Sequence, residues 1–207
     1  LGLIAIISGD IINSQLWSEA DDWLNPLKSA LQSMGEEFYD WDIYWGDGFQ
    51  VRLKNPEELA SKYFLLHALL KKTSDLKVRI GIGLAPAEFE KPEIKFSNGK
   101  AYVLAAEALK SLKNSPVTTA LIAANNAIHN ELDVLFELAS VIVDSWKPGT
   151  SAVVSCSLQN PSNSQTEIAE ILDISQATVN RHLKRSNLQS LLKMESLVRN
   201  IILAAKN

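Results

Sequence analysis

The chain has 207 residues, 46% hydrophobic and 21% charged, with net charge −4. That ordinary globular balance allows one large domain or two small ones and excludes a disordered chain. No apolar run approaches the ~20 residues of a membrane helix, and a single cysteine, Cys156, excludes an intrachain disulfide framework.

The apolar opening, Leu1–Ser8, lacks a basic flank and a small-residue cleavage site. It runs into Ser8-Gly9-Asp10 and reads as a strand buried on both faces, not as a signal peptide. Together with the cysteine usage this predicts a cytoplasmic protein. A helix is expected over 18–33, capped by Ser18, with Asp21 and Asp22 in its first turn and Gly35 at its end. Pro26 allows it to split in two. From Glu37 to Trp45, Tyr39, Trp41, Ile43 and Trp45 alternate with polar positions, the period of a half-buried strand. Gly46-Asp47-Gly48 then turns the chain into Phe49–Leu53, making a β-hairpin.

Pro56 opens a second helix running to about Lys72. A strand follows over Leu76–Leu84, then an irregular stretch over 85–98, then a helix over 99–113 capped by Asn98. The order βαββαβ followed by a helix is the ferredoxin-like layout. After Asn114-Ser115-Pro116, Val117–Trp146 reads as one long helix or two stacked ones. Its apolar residues, from Leu121 through Ile128, Leu132, Leu135, Ala139 and Ile142 to Trp146, recur at spacings of three and four. The predicted organisation is an α+β domain over 1–115, a connecting helix over 116–148 and an all-α segment over 149–207.

The strongest motif lies over 164–185, SQTEIAEILDISQATVNRHLKR. Ile168, Ala169 and Leu172 share one face of a short helix, and the small Ala169 permits a close crossing. Asp173-Ile174 makes a turn, with Asp tolerating a left-handed backbone. Ser175 caps a second helix whose Val179 and Leu183 face inward. This is the pattern of a helix-turn-helix that binds double-stranded DNA. Gln176, Ala177, Thr178 and Asn180 are the candidates for base edges, and Ser175, Arg181, Lys184 and Arg185 for phosphates. The alternative for the pair is a helical hairpin used only for packing or for binding protein. Charge agrees with DNA binding, since residues 161–207 carry six basic and four acidic side chains while the remainder is net acidic. The whole chain is too acidic for a sequence-blind nucleic-acid coat. One helix pair makes few base contacts, so a homodimer is expected, with 117–146 and the last helix, from Asn187 onward, as candidate contact surfaces.

Two acidic turns stand out, Asp10 in ISGDIINS and Asp47 in WGDGFQ. In a βαββαβ sheet the first strand lies beside the hairpin, so both carboxylates are expected at one sheet end. There they can hold Mg²⁺ or Mn²⁺ with a nucleotide. Simple backbone capping by either Asp is the plainer alternative. His67, His129 and His182 lack metal-ligand spacing.

ISGDIINS, GDGFQ, KVRIGIG, SNGKAYVLAAEALKSL and EIAEILDISQATVNRHLKR, in that order, resemble the SatD family of bacterial proteins. The resemblance implies a transcriptional regulator. The N-terminal part is in turn similar to the palm of class III nucleotide cyclases and GGDEF proteins. In that palm a first-strand Asp-Ile and a hairpin Gly-Asp bind two divalent metals on a nucleoside triphosphate. Asp10-Ile11 and Gly46-Asp47 match those positions. Val103 and Glu107 stand where the palm carries an Asn and an Arg that stabilise the transferring phosphoryl group. Trp45 replaces the first Gly of the GGDEF signature. The expectation is therefore a DNA-binding regulator with a degenerate, ligand-sensing palm. Its rival is a metal-dependent nucleotidyl-transfer or cyclase-type enzyme targeted by its helix-turn-helix.

Overall fold

The computed structural model describes residues 2–44, 46–74 and 76–206, and of Ser74 the backbone alone. Leu1 and Trp45, both given places above, lie outside the described residues. The protein is a mixed α+β fold. Its five-stranded sheet has the order β2-β3-β1-β4-β5, formed by β1 (Leu3–Ile11), β2 (Trp41–Tyr44), β3 (Gly48–Leu53), β4 (Val78–Pro86) and β5 (Thr119–Ala123). β1 is central and antiparallel to both β3 and β4, with Ile4 to Ile7 buried. β2 pairs antiparallel with β3 through the Gly46-Asp47 turn. β5 runs parallel to β4 at the far edge.

Eight α-helices are found among the described residues: α1 (Asp21–Gln32), α2 (Leu59–Ser74), α3 (Lys100–Ser111), α4 (Asn126–Asp144), α5 (Pro148–Gln159), α6 (Gln165–Leu172), α7 (Gln176–Ser186) and α8 (Leu188–Ala205). None is long and apolar enough to cross a membrane. α1 stays a single helix through Pro26, because Trp23, Leu27, Ala30 and Leu31 bury one face and outweigh the lost backbone bond. It starts at Asp21, with Ala20 and not Ser18 in the cap position. α3 likewise starts after Gly99, without a side-chain cap from Asn98. The strand expected over 37–45 shortens to β2, since Phe38 takes a left-handed backbone, φ 69, and Tyr39 turns outward. Trp41 is fully buried.

Residues 117–146 do not form a continuous helix. The first part is β5 and only the second is α4. Leu121 fits a helical spacing to Ile128 and Leu132, yet Thr119, Leu121 and Ala123 also fit the period of a strand. The exposed edge of β4 decides, because pairing there satisfies backbone groups that a helix would leave unpaired on the sheet. Asn125 then caps α4, its side chain accepting from the Ala127 amide at 3.0 Å.

One main hydrophobic cluster joins a single face of the sheet to α1, α2, α4, α5 and α8. It runs from Ala5 and Ile7 through Tyr63, Phe64 and Phe136 to Val154, Leu191, Val198 and Ile202. α3 packs alone on the opposite face. A third, small cluster of Val153, Cys156, Ile168, Ala169 and Val179 ties α6 and α7 to α5.

Candidate functional site

Alternation along each strand assigns the sheet faces. On the α3 side β1 carries Ile4, Ile6, Ser8 and Asp10. Pairing aligns Ser8 with Gln50 and Gly81, and Asp10 with Gly48 and Arg79. Tyr44 lies opposite Gly48 on β2. This face therefore turns from apolar to polar toward the end of β1. α3 does not cover the polar half. It is seated on β4 at two glycines, where a Cβ on Gly83 would stand 2.0 Å from the Ala101 carbonyl oxygen and one on Gly81 2.2 Å from the Leu109 nitrogen. No side chain fits there, so the helix lies directly on β4 and leaves the floor over β1 and β3 open. The opening is a cavity of about 660 Å³ between Ser8, Asp10, Tyr44 and Gln50 below, α3 on one side, and Ile94, Lys95 and Ser97 on the other.

That last wall belongs to the irregular segment after β4. It is held by Arg52, a buried cation on β3. Its Nη1 donates to Glu90 Oε2 at 2.8 Å, to the Lys91 carbonyl at 2.8 Å and to Ser97 Oγ at 3.1 Å. Its Nη2 donates to the carbonyls of Tyr39 and Pro92. Five acceptors on one guanidinium compensate its desolvation. Tyr102 donates to the same Glu90 oxygen at 3.0 Å. Burial pushes the Tyr102 phenol up to about 12 and raises that of Tyr44 further. The Tyr44 hydroxyl is buried with no hydrogen-bond partner among the described residues.

The two acidic turns do meet at this sheet end, since Asp10 pairs with Gly48, the residue after Asp47. Both carboxylates are engaged. Arg79 grips Asp10 with two parallel bonds, Nε to Oδ1 at 2.8 Å and Nη2 to Oδ2 at 2.9 Å. Ser14 Oγ donates to Asp47 Oδ2. Among the described residues no three His, Cys, Asp or Glu side chains gather as a metal-ligand set. A two-pronged arginine leaves Asp10 little lone-pair capacity for a cation. As arranged, the donor set does not fit a divalent metal.

The second candidate surface is α7. Ser164 caps α6 with a full capping box, its side chain accepting from Glu167 N while Glu167 accepts from Ser164 N. Asp173 ends α6 in the left-handed region, φ 52, and the Ile174 amide bonds back to the Ala169 carbonyl at 3.0 Å. Ser175 caps α7 through the Thr178 amide at 3.2 Å. Ile168, Ala169 and Val179 are buried, with Leu172, Ile174 and Leu183 packed around them. Opposite Val179 lie Ala177, Arg181 and Lys184, all exposed. Ser175, Gln176 and Arg185 are exposed as well, and Thr178 is half-buried. Asn180 departs from a free outward position, donating to Gln165 Oε1 on α6 at 3.2 Å. His182 turns inward and meets Thr150 Oγ1 at 3.0 Å. Burial, then the charges of Arg181 and Arg185, lower its pKa.

A family model described as the SatD family matches residues 3–202, spanning both the cleft and the α6–α7 pair. The chain belongs to the SatD family. Comparison with curated proteins found no match. In this SatD-family chain Val103 and Glu107 lie exposed on α3, while Ala106, Leu109 and Lys110 of α3 and Lys113 just beyond it line the cleft. Sequence reasoning overlooked Arg79, Arg52 and the three cleft lysines of this SatD protein. Arg79 had a signal: it stands two residues before Gly81 and four before Gly83, and so shares their face. Arg52 had none, because its acceptors lie up to 45 residues away.

Proposed function

We propose that this SatD-family protein is a DNA-binding transcriptional regulator, with α6 and α7 as a helix-turn-helix and α7 entering the major groove. The observation that carries this is the exposed ridge Ala177–Arg181–Lys184, flanked by Arg185, directly opposite the buried Val179. A helix capped at its N-terminus, small at its leading edge and basic beyond suits base contacts first and phosphates after. Gln176, Ala177 and Thr178 are the base-reading candidates. Asn180 joins them once it releases Gln165. A homodimer supplies the second half-site. Val134, Leu138 and Val141, spaced four and three apart on α4, are 54%, 61% and 64% exposed and favour that face as the contact.

The N-terminal half is read as a ferredoxin-like, cyclase-like palm that senses a small ligand. β1 and β2 run parallel with β3 antiparallel between them, and β4 flanks β1, which supports that reading. β5 is an addition to it. Engaged carboxylates, and the exposure of Val103 and Glu107 outside the cleft lining, favour sensing over turnover. The test is selection of a DNA site followed by titration. Arg181→Ala should weaken binding by about 1–3 kcal/mol and lower the salt slope by about one. Affinity indifferent to both Arg181→Ala and salt removes the DNA reading.

A further inference from the structure

The charge lining the cleft is reversed from what two acidic turns lead one to expect. Three lysines, Lys95, Lys110 and Lys113, face one carboxylate, that of Asp10, and Arg79 already neutralises it. Lys95 pairs with Glu93 at 2.9 Å. Lys110 and Lys113 have no carboxylate within ion-pair distance among the described residues, and both line the cleft, Lys110 from the last turn of α3 and Lys113 from the 3-10 turn Leu112–Asn114 that continues it. The floor is polar, from Ser8 and Gln50, whose side chains bond each other at 3.1 Å. Tyr44 also lines the cleft, its hydroxyl buried and without a hydrogen-bond partner among the described residues. Ile94, Ala106 and Leu109 supply an apolar side. A volume of about 660 Å³ lies within the range of small-molecule pockets.

We propose that this cleft binds a nucleoside phosphate directly through Lys110 and Lys113, without a divalent metal, its flat apolar body against Ile94 and Leu109. The proposal rests on reading the N-terminal half as a ligand-sensing module. In a metal site Asp10 would hold the cation and so draw the phosphates in. Here it is a like charge next to them, and Arg79 offsets it. The two arrangements demand opposite behaviour from one substitution. Asp10→Asn deletes the central ligand of a metal site. In a lysine site it removes a repulsion and frees the Arg79 guanidinium for phosphate.

The experiment is calorimetric titration of the full chain with ATP, GTP, inorganic triphosphate and adenosine, each in EDTA and in MgCl₂. Circular dichroism of each variant checks that it is folded. Expected are nucleotide binding in EDTA, weaker binding of triphosphate or adenosine alone, about threefold tightening in Asp10→Asn, and at least about tenfold weakening in Lys110→Ala/Lys113→Ala. Binding that requires magnesium and vanishes in Asp10→Asn overturns the proposal and leaves the sensing reading standing. Triphosphate binding as well as ATP overturns the nucleoside assignment. No binding of any probe overturns the proposal and leaves the sensing reading to a small ligand of another class.

Discussion

His67 on α2 is a buried histidine with no hydrogen-bond partner for Nε2 among the described residues, its ring 4.6 Å from that of Tyr63. Burial, then the neighbouring Lys71 ammonium, hold its pKa at about 3, below the ordinary 6.5. The unfolded chain takes a proton at this residue below pH ~6.5, and the folded chain does not until pH ~3. Stability from His67 is thus complete above pH ~6.5 and falls as the pH drops, by up to ~1.4 kcal/mol per unit. Urea denaturation at pH 7 and pH 5 should show the wild type losing about 1–2 kcal/mol more than His67→Phe. Equal losses would place the acid sensitivity in the carboxylates instead. Asp10 teaches a related lesson about single residues. Its position at the end of a strand was legible in the sequence, and so was its approach to the hairpin. Its partner was not, because Arg79 is 69 residues away and only the antiparallel register brings it opposite.

Among the elements, the α6–α7 pair was the most legible. Its capping residues, turn and inward set are all local, so each signal sits within a few residues of what it controls. β5 was the least legible. Five residues that suit either period need a neighbour to decide, and the neighbour is β4, which lies before α3 in the chain. α3 itself shows how an element's seat shapes a site. Its backbone at Ala101, Ala105 and Leu109 meets Gly81 and Gly83. Gly83→Ala should lift the helix off β4 at a cost of about 1–3 kcal/mol, read as a lower midpoint in urea. The same substitution should alter nucleotide titrations, because the cleft wall moves with the helix. An unchanged midpoint would mean that α3 is seated less tightly than the 2.0 Å approach implies.

For the molecule as a whole, the α6–α7 pair is anchored to α5, and the main cluster takes in residues of both α5 and α8. Trp146, just beyond α4, donates from Nε1 to the Ser186 carbonyl at the end of α7, at 3.0 Å. Lys71 on α2 donates to the Asp144 carbonyl at 2.9 Å. The sheet body and α7 are thus joined by short contacts. If α4 is the dimer face, Leu138→Glu should convert a dimer to a monomer in sedimentation and weaken operator binding about tenfold or more, while leaving the melting temperature nearly unchanged. A wild type that sediments as a monomer, or a variant that remains dimeric, would remove α4 from that role.

α8 closes the main cluster with Val198 and Ile202, and its last turn lies beside the start of α2, where Lys206 bonds Glu57. A ribosome synthesising this protein therefore holds an open core until α8 has been made. β1 through α2 emerge early, yet the apolar face of α2 lacks a cover until α5 and α8 have left the exit tunnel. Domains made in sequence usually fold in sequence. This core is closed by α8, so a nascent chain stalled before residue 198 exposes Leu-rich surface of α2. Such intermediates are what chaperones bind, and a chain cut short inside α8 is expected to be cleared by proteolysis and not to persist as a free sheet domain.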